Sequence, residues 1–288
     1  MNRSMRNIAA LIWTALAIGH GPLWAQKPKS QKEQQAILAV QLAKTPDERI
    51  AAIEKVLTDF ADTEFKVALL TMAVQSEEQK DDYTQIVFYA DRLLKADPNN
   101  AFALVTLAAE TARHTRENDL DKDEQLMKVD KWAKSGIEAA KVMPKIRADV
   151  SDTDWDAVKK DMEAQAYVAL GMADVVRKNY DGAAENYRKS LEVGPTQNPA
   201  TLVRLAQVYV NTGKLDNAAF TLDKAINAPD VPDQIKTIAT NMKNDIAKRK
   251  AAAAPKPASG APTTPAPATP APATPPAGAP PAGKSQQP

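Results

Sequence analysis

The sequence predicts an all-α protein built as an array of stacked helix pairs. A helix–turn–helix pattern over residues 164–195 returns 35 residues later, and a period of this length is typical of solenoids made of helical hairpins. Hydrophobic residues make up 44% of the chain and alanine is abundant, which favours helix. Apolar residues also recur at the helical spacing of 3.6, as in the run from Ile50 to Phe60.

The clearest pair runs from Ala164 to Pro195, with its turn at 178–182. Its small residues would let two helices approach closely, and its larger ones would fill the seam between pairs. The small set is Gly171 and Ala183, repeated as Ala206 and Ala218, and the large set is Tyr167, Leu170, Tyr187 and Leu191. Asp181 and Asp216 are predicted to begin the second helices, because a side-chain oxygen there accepts unpaired backbone N–H groups.

These residues resemble the tetratricopeptide repeat (TPR), a pattern of about 34 residues with W-x2-L-G-x2-Y, then A-x3-F, then P. The matching positions are Tyr167, Leu170, Gly171, Ala183, Tyr187 and Pro195. Asp174 stands where the family has a tyrosine, which the next copy supplies as Tyr209. The clearest repeats are 164–197 and 199–230. The resemblance implies a right-handed superhelix of about five helix pairs with a C-terminal capping helix.

Three earlier pairs are predicted on weaker patterns. Two degenerate repeats cover about 33–61 and 64–98, with a phase uncertain by several residues, and a third pair covers 101–142. Within the first, Thr45 and Glu48 form a capping box around Pro46, which suits the first position of a helix.

Two further features complete the folded region, 26–250. Residues 143–152 are a polar insertion, either a docking ledge or a structural brace, after which Thr153 is predicted to start a long helix. Asn198 caps the helix of the fifth pair. The final helix, about 233–250, should cover the last seam with an inner face that consists of Ile235, Ile238, Met242 and Ile246.

Residues 1–25 have the pattern of a secretory signal peptide. Arg3 and Arg6 precede an apolar run of 12 residues, which is too short to span a bilayer comfortably, and cleavage is expected between Ala25 and Gln26. The alternative is an uncleaved N-terminal helix. If residues 1–25 are cleaved as a signal peptide, the mature chain would be exported to the periplasm or the exterior without an integral membrane span. The lack of cysteine excludes a lipid anchor on that residue.

Residues 251–288 hold 12 of the 21 prolines and no aromatic side chain. Such a composition cannot form a core, so a disordered tail with polyproline II character is predicted. The tail would be either a spacer that contacts the cell envelope or a solubilising segment without a partner.

Charge and residue chemistry exclude several functions. Residues 26–250 hold all 36 acidic side chains and 33 of the 37 basic ones, which argues against nucleic acid as a partner. Without cysteine, and with His114 the only histidine after residue 25, we expect no catalytic residues, cofactor or metal site. No phosphate-binding glycine motif or nucleophile motif is present.

In TPR relatives, partners usually lie in a concave groove lined by the first helix of each pair. The resemblance carries this groove onto Phe102, Val105, Ala109, Val168, Met172, Val175, Val203 and Gln207. Because these residues are mostly apolar, we expect an apolar or helical partner segment rather than a carboxylate. The alternative is that they simply pack against the neighbouring repeat.

The sequence therefore predicts a non-catalytic scaffold or adaptor that binds other proteins in the bacterial cell envelope. A self-assembling structural component of the envelope is the first alternative. An enzyme is the second, although the sequence offers no convergent polar groups for one.

Overall fold

The computed structural model describes residues 27–145 and 149–253. The predicted signal peptide with its Ala25–Gln26 cleavage site lies outside the described residues, and so does nearly all of the predicted tail. No helix within the described ranges is both long enough and apolar enough to span a bilayer.

The described part of the chain is all-α, as predicted, with eleven helices and no strand. In chain order they are α1 (Gln31–Leu42), α2 (Pro46–Asp59), α3 (Lys66–Lys80), α4 (Tyr83–Ala96), α5 (Ala101–His114), α6 (Lys122–Val142), α7 (Asp152–Val176), α8 (Tyr180–Val193), α9 (Pro199–Asn211), α10 (Leu215–Ile226) and α11 (Asp233–Ala253).

The helices pack in sequential pairs, and each pair packs on the next. α1 packs on α2, α3 on α4, α5 on α6, α7 on α8 and α9 on α10, while α11 lies over α10 and α9. The first helices of two successive pairs, α5 and α7, also pack on each other. Five pairs and a terminal helix are therefore confirmed.

Helix starts follow the predicted capping chemistry at two positions and differ from it at three. The Thr45–Glu48 box is present in full, and Asn198 Oδ1 accepts hydrogen bonds from the first turn of α9. The predicted cap of α7 was wrong by two residues, because Ser151 rather than Thr153 caps it.

The predicted role of Asp181 and Asp216 as caps was also wrong. Asn179 caps α8 by accepting a hydrogen bond from Gly182 N at 3.3 Å, so Asp181 falls inside the helix. Lys214 stands at the cap of α10 without a side-chain hydrogen bond. Both aspartates lie in the first turn, where a negative charge complements the helix dipole.

The core consists of four neighbouring clusters, and some side chains belong to two of them. Phe102 and Trp132 pack against both the N-terminal cluster, formed mainly by α1–α4, and the central cluster of α5–α7. α5 itself contributes Ala103 and Leu107 to the N-terminal cluster and Val105 to the central one. The array therefore has a continuous interior along its length.

The segment before α7 braces the long helix. Trp155 Nε1 donates a hydrogen bond to the Met143 carbonyl at 3.3 Å, and Lys145 pairs with Asp152 at 2.7 Å. Val150 is buried in the central cluster. These contacts fit the structural alternative for the insertion.

α11 covers the last seam, but its inner face differs from the prediction. Ala239 and Ile246 are buried, Met242 is partly buried, and Ile238 is 43% exposed. The prediction for Ile238 was wrong because Ala239, one position on, is the residue of this turn that is buried against the preceding pair.

Candidate functional site

A narrow cleft of about 20 Å³ opens between the first helices of three successive pairs, α3, α5 and α7. We call it the first-helix cleft. Its lining consists of Gln75, Glu78, Phe102, Val105, Thr106, Met162 and Gln165. Each helix contributes at least one polar side chain and the latter two add apolar ones, so the cleft combines a polar floor with apolar walls.

Two carboxylates of this region lie in an unfavourable electrostatic environment. Burial, together with the charge of Glu110, raises the pKa of Glu78 to about 7, and Arg113 opposes both effects. Burial also raises the pKa of Glu110, while Arg113 and His114 act in the opposite direction. A carboxylate in such surroundings gains more than an exposed one when a cation approaches it.

The arginine of this group is already engaged. Arg113 lies 2.8 Å from Glu110 Oε1 and 3.8 Å from Asp81. Glu78, by contrast, makes no side-chain hydrogen bond or close ion pair within 27–145 and 149–253. Its carboxylate is therefore the one still available to a ligand.

Two buried acceptor atoms near the cleft lack a hydrogen-bond donor among the described residues. They are Oε1 of Gln75, a residue only 5% exposed, and Oε2 of Glu110, which is 4% exposed. A buried polar atom without a partner costs about 1–3 kcal/mol, so such atoms mark places where a donor can be gained. Gln165, across the cleft, donates one of its two amide N–H groups to Asp161 at 2.6 Å.

The residues predicted to line a partner groove are not all brought together. Phe102 and Val105 line the first-helix cleft, although Val105 is only 4% exposed. Val168, Met172 and Val175 are partly buried against the α8 cluster around Tyr187, and Val203 packs in the C-terminal cluster. Ala109 packs against the central cluster, and Gln207 is exposed with its Nε2 bonded to Asn211. For most of these residues the packing alternative describes the observed contacts.

The first-helix cleft is more polar than the predicted groove, with which it shares only Phe102 and Val105. Sequence reasoning missed Gln75 and Glu78 because the phase of the second pair was uncertain, so no groove positions were assigned on α3. A signal was present: from Val67 to Val74 the only polar side chain of α3 is Thr71, whereas the side chains are continuously polar from Gln75 onward, within a stretch that is buried as far as Glu77.

Arg204 is a second polar residue of interest. It lies on α9 and is partly buried, which lowers the pKa of its guanidinium, and the charge of Arg113 lowers it further. Two arginines therefore face the same region, but only Arg113 has a carboxylate partner within the described ranges.

Metal and histidine chemistry find no support in the described residues. They contain no group of three or more histidine or acidic side chains that could hold a metal ion. His114 stacks on Tyr83 with ring centroids 3.9 Å apart, and its Nδ1 lies 2.9 Å from the Glu110 carbonyl. Its ring thus has a structural contact at the end of α5.

Comparisons with known proteins agree with the observed helix pairs. The family model described as tetratricopeptide repeat matches residues 199–229, which form α9 and α10. No curated protein matches the sequence.

Two solved structures resemble the fold. One is titled "MamA RS-1 ArsTM double mutant", with 16% identity, a TM-score of 0.48, and coverage of 75% of this chain and 97% of that one. The other, TTC0263, a thermophilic TPR protein in Thermus thermophilus, has 15% identity, a TM-score of 0.45, and coverage of 73% and 98%.

The matched repeat lies within an array in which the same helix-pair packing occurs five times. Its Ala206, Ala218 and Leu222 are buried at the positions that the repeat pattern assigns to close contacts. The chain is therefore an all-α array of helix pairs in which residues 199–229 match the tetratricopeptide repeat, and proteins built from this repeat are in general non-catalytic scaffolds for protein–protein interaction.

Proposed function

We propose that this protein is a non-catalytic adaptor of the bacterial cell envelope that holds a segment of a partner protein in the first-helix cleft. The observation that carries the proposal is the cleft itself, where three successive first helices meet and each leaves one lining residue partly exposed, namely Glu78, Phe102 and Gln165. An extended or helical segment could contact all three helices at once, which would favour a peptide over a small solute.

The proposed location depends on the sequence of residues 1–25, with two arginines followed by a short apolar run. Production of the full chain in a bacterium with two membranes, with and without residues 1–25, tests it. We expect the full chain in the periplasmic fraction with Gln26 at its N-terminus by mass spectrometry. Retention of the full chain in the cytoplasm would overturn the proposed location.

Site-specific photo-crosslinking tests the proposed binding face. A photoreactive amino acid at Gln165, in the cleft, should crosslink a discrete partner in intact cells. The matched control is Lys134, an exposed position on α6 outside the cleft lining. Equal crosslinking from both positions, or none from Gln165, would contradict the proposal.

A further inference from the structure

A wider groove lies between the second helices of the last two pairs, α8 and α10. Both helices pack on α9, which forms the floor, and the groove has a volume of about 500 Å³. We call it the second-helix groove. Its apolar lining consists of Leu191 from α8, Leu202, Leu205 and Tyr209 from α9, and Phe220 from α10.

An exposed aromatic ring stands beside the buried floor of this groove. Phe220 is 63% exposed, and the Nζ atom of Lys224 lies 4.8 Å from the centroid of its ring. Leu202 and Leu205 are buried below it, and Tyr209 is half-buried. Water solvates such a surface poorly, so covering it with an apolar segment is favourable.

α11 carries the chain to one end of the groove. Lys243 pairs with Asp223 and Lys250 pairs with Asp216, so α11 runs antiparallel to α10 and ends near the start of α10. Asn217, the residue after Asp216, already lines the groove. Beyond Ala253 the chain therefore has to cross roughly one helix diameter, about 10 Å, to enter the groove.

The sequence after Ala253 suits a groove of this kind. It contains three P-x-x-P units, at 262–265, 267–270 and 272–275, and residues 257–283 carry no charged side chain. Such sequences favour the polyproline II helix, which docks on aromatic-lined grooves at a low cost in conformational entropy. The nine residues from Ala253 to Pro262 reach up to about 28 Å at 3.1 Å per residue, which is more than the crossing requires.

We propose that the proline-rich tail of this chain docks in the second-helix groove as a polyproline II segment, with its prolines against Tyr209 and Phe220. From Asn217 to Lys224 the groove follows about 10 Å of α10, and one P-x-x-P unit spans about 9 Å. The side-chain amides of Gln197 and Asn217 can donate to the backbone carbonyls of the segment, which polyproline II leaves without internal hydrogen bonds.

Charge and tethering both favour this occupant. The charged residues that line the groove are Arg188, Glu192 and Lys224, which carry both signs, so they favour an uncharged segment over a strongly acidic or basic one. A short tether gives the tail an effective concentration on the order of mM, so a weak contact is enough to keep it docked. The proposal does not depend on the first-helix cleft or on the adaptor function.

Fluorine NMR of the full chain tests the proposal. The reporter is 4-fluorophenylalanine at position 220, and the matched control is the same amino acid at position 88 on α4. Phe88 is also an exposed ring, 50% exposed, with the Arg92 guanidinium 5.3 Å from its centroid. The tail variant replaces the six prolines of the three units by serine, as Pro262→Ser, Pro265→Ser, Pro267→Ser, Pro270→Ser, Pro272→Ser and Pro275→Ser.

We expect the six proline substitutions to shift the signal from position 220 and to leave the signal from position 88 in place. A second tail variant keeps every proline and should leave both signals unchanged; it carries Thr264→Ser, Thr269→Ser and Thr274→Ser. Because the chain has no cysteine, Ala266→Cys allows a single spin label in the tail. That label should broaden the signal from position 220, and the broadening should fall at least twofold when the prolines are replaced.

Three outcomes would overturn the proposal. The first is an unchanged signal from position 220 in the proline variant, and the second is an equal shift at position 88. The third concerns a second copy of the chain as the occupant. A mixture of fluorinated chains without the spin label and spin-labelled chains without fluorine should show no broadening. Broadening as strong as in the doubly labelled chain would mean that the tail docks on another molecule.

Discussion

The ring of Tyr187 on α8 occupies the space where a side chain at position 171 would begin. A Cβ atom built on Gly171 would lie 2.5 Å from Tyr187 Cε1 and 2.7 Å from Cδ1. Tyr187 is 2% exposed, so the ring has little freedom to move away. α7 and α8 therefore meet by packing an aromatic ring directly on backbone.

This contact predicts that Gly171→Ala destabilises the protein, although alanine is intrinsically the better helix former by about 1 kcal/mol. Overpacking a tight core typically costs about 1–3 kcal/mol, so after the gain in helix propensity we expect a net loss of up to about 2 kcal/mol in the free energy of unfolding. Urea denaturation followed by circular dichroism measures it. In a Tyr187→Leu background the same change should be neutral or stabilising. A destabilisation of equal size in both backgrounds would contradict the ring contact as its cause.

α11 provides a matched pair of substitutions on one helix. Ile246 is 2% exposed and packs in the C-terminal cluster, whereas Ile238 is 43% exposed. Ile246→Ala should lower the free energy of unfolding of the C-terminal helices by about 2–4 kcal/mol, and Ile238→Ala by less than about 1 kcal/mol. Hydrogen exchange of the α10 and α11 amides would measure both. Similar losses for the two variants would show that the inner face of α11 has been assigned wrongly.

Glu78 makes stability depend on pH. Its pKa in the folded protein is about 7, against 4.5 as the ordinary value, so the folded state holds the proton more tightly than the unfolded state does. This contribution to stability is complete below about pH 4.5 and is lost as the pH rises through about 7.

Glu78→Gln should therefore gain about 1–3 kcal/mol relative to the natural chain between pH 4.5 and pH 8. Chemical denaturation at a series of pH values measures the difference. Glu124→Gln, on the exposed face of α6, is the matched control and should follow the natural chain at every pH. A constant difference across the whole range would contradict the unfavourable environment assigned to Glu78.

Arg177 joins the end of α7 to α6 through a two-point ion pair with Asp130. Its Nη1 lies 3.2 Å from Oδ1 and its Nη2 2.9 Å from Oδ2, and both side chains are about one-third exposed. Arg177→Lys keeps the charge but loses the fork geometry, so we expect a loss of about 0.5–1 kcal/mol that shrinks at high salt. A double-mutant cycle with Asp130→Asn isolates the pair. A coupling energy near zero would contradict a stabilising role.

The helix pairs could be predicted because their signals are local. Leu170, Gly171 and Tyr187 lie at fixed spacings that a repeat preserves, and the Thr45 capping box lies within four residues. The caps of α8 and α10 were harder to predict, because Asn179 and Asp181 are both good cap residues and only the backbone geometry of the turn selects Asn179.

The cleft could not be predicted in the same way. The environment of Glu78 depends on Glu110 and Arg113, which lie more than 30 residues away and approach it only after α3 and α5 have packed into the array. The sequence indicates that a polar residue exists, but not which neighbours share its surroundings. The exposure of Ile238 has a similar origin, since only the packing of α11 on the preceding pair decides that Ala239 rather than Ile238 is buried.

Phe102 and Trp132 affect how the protein unfolds. Both side chains contact the N-terminal and the central cluster, and α5 supplies Leu107 to the first and Val105 to the second. Cleavage of the chain on either side of α5 would therefore expose apolar surface on one of the two fragments. We therefore expect that the chain cannot be divided near α5 into two fragments that fold independently. Loosening of the N-terminal pairs would therefore be transmitted to the central cluster through α5 and through Trp132 of α6.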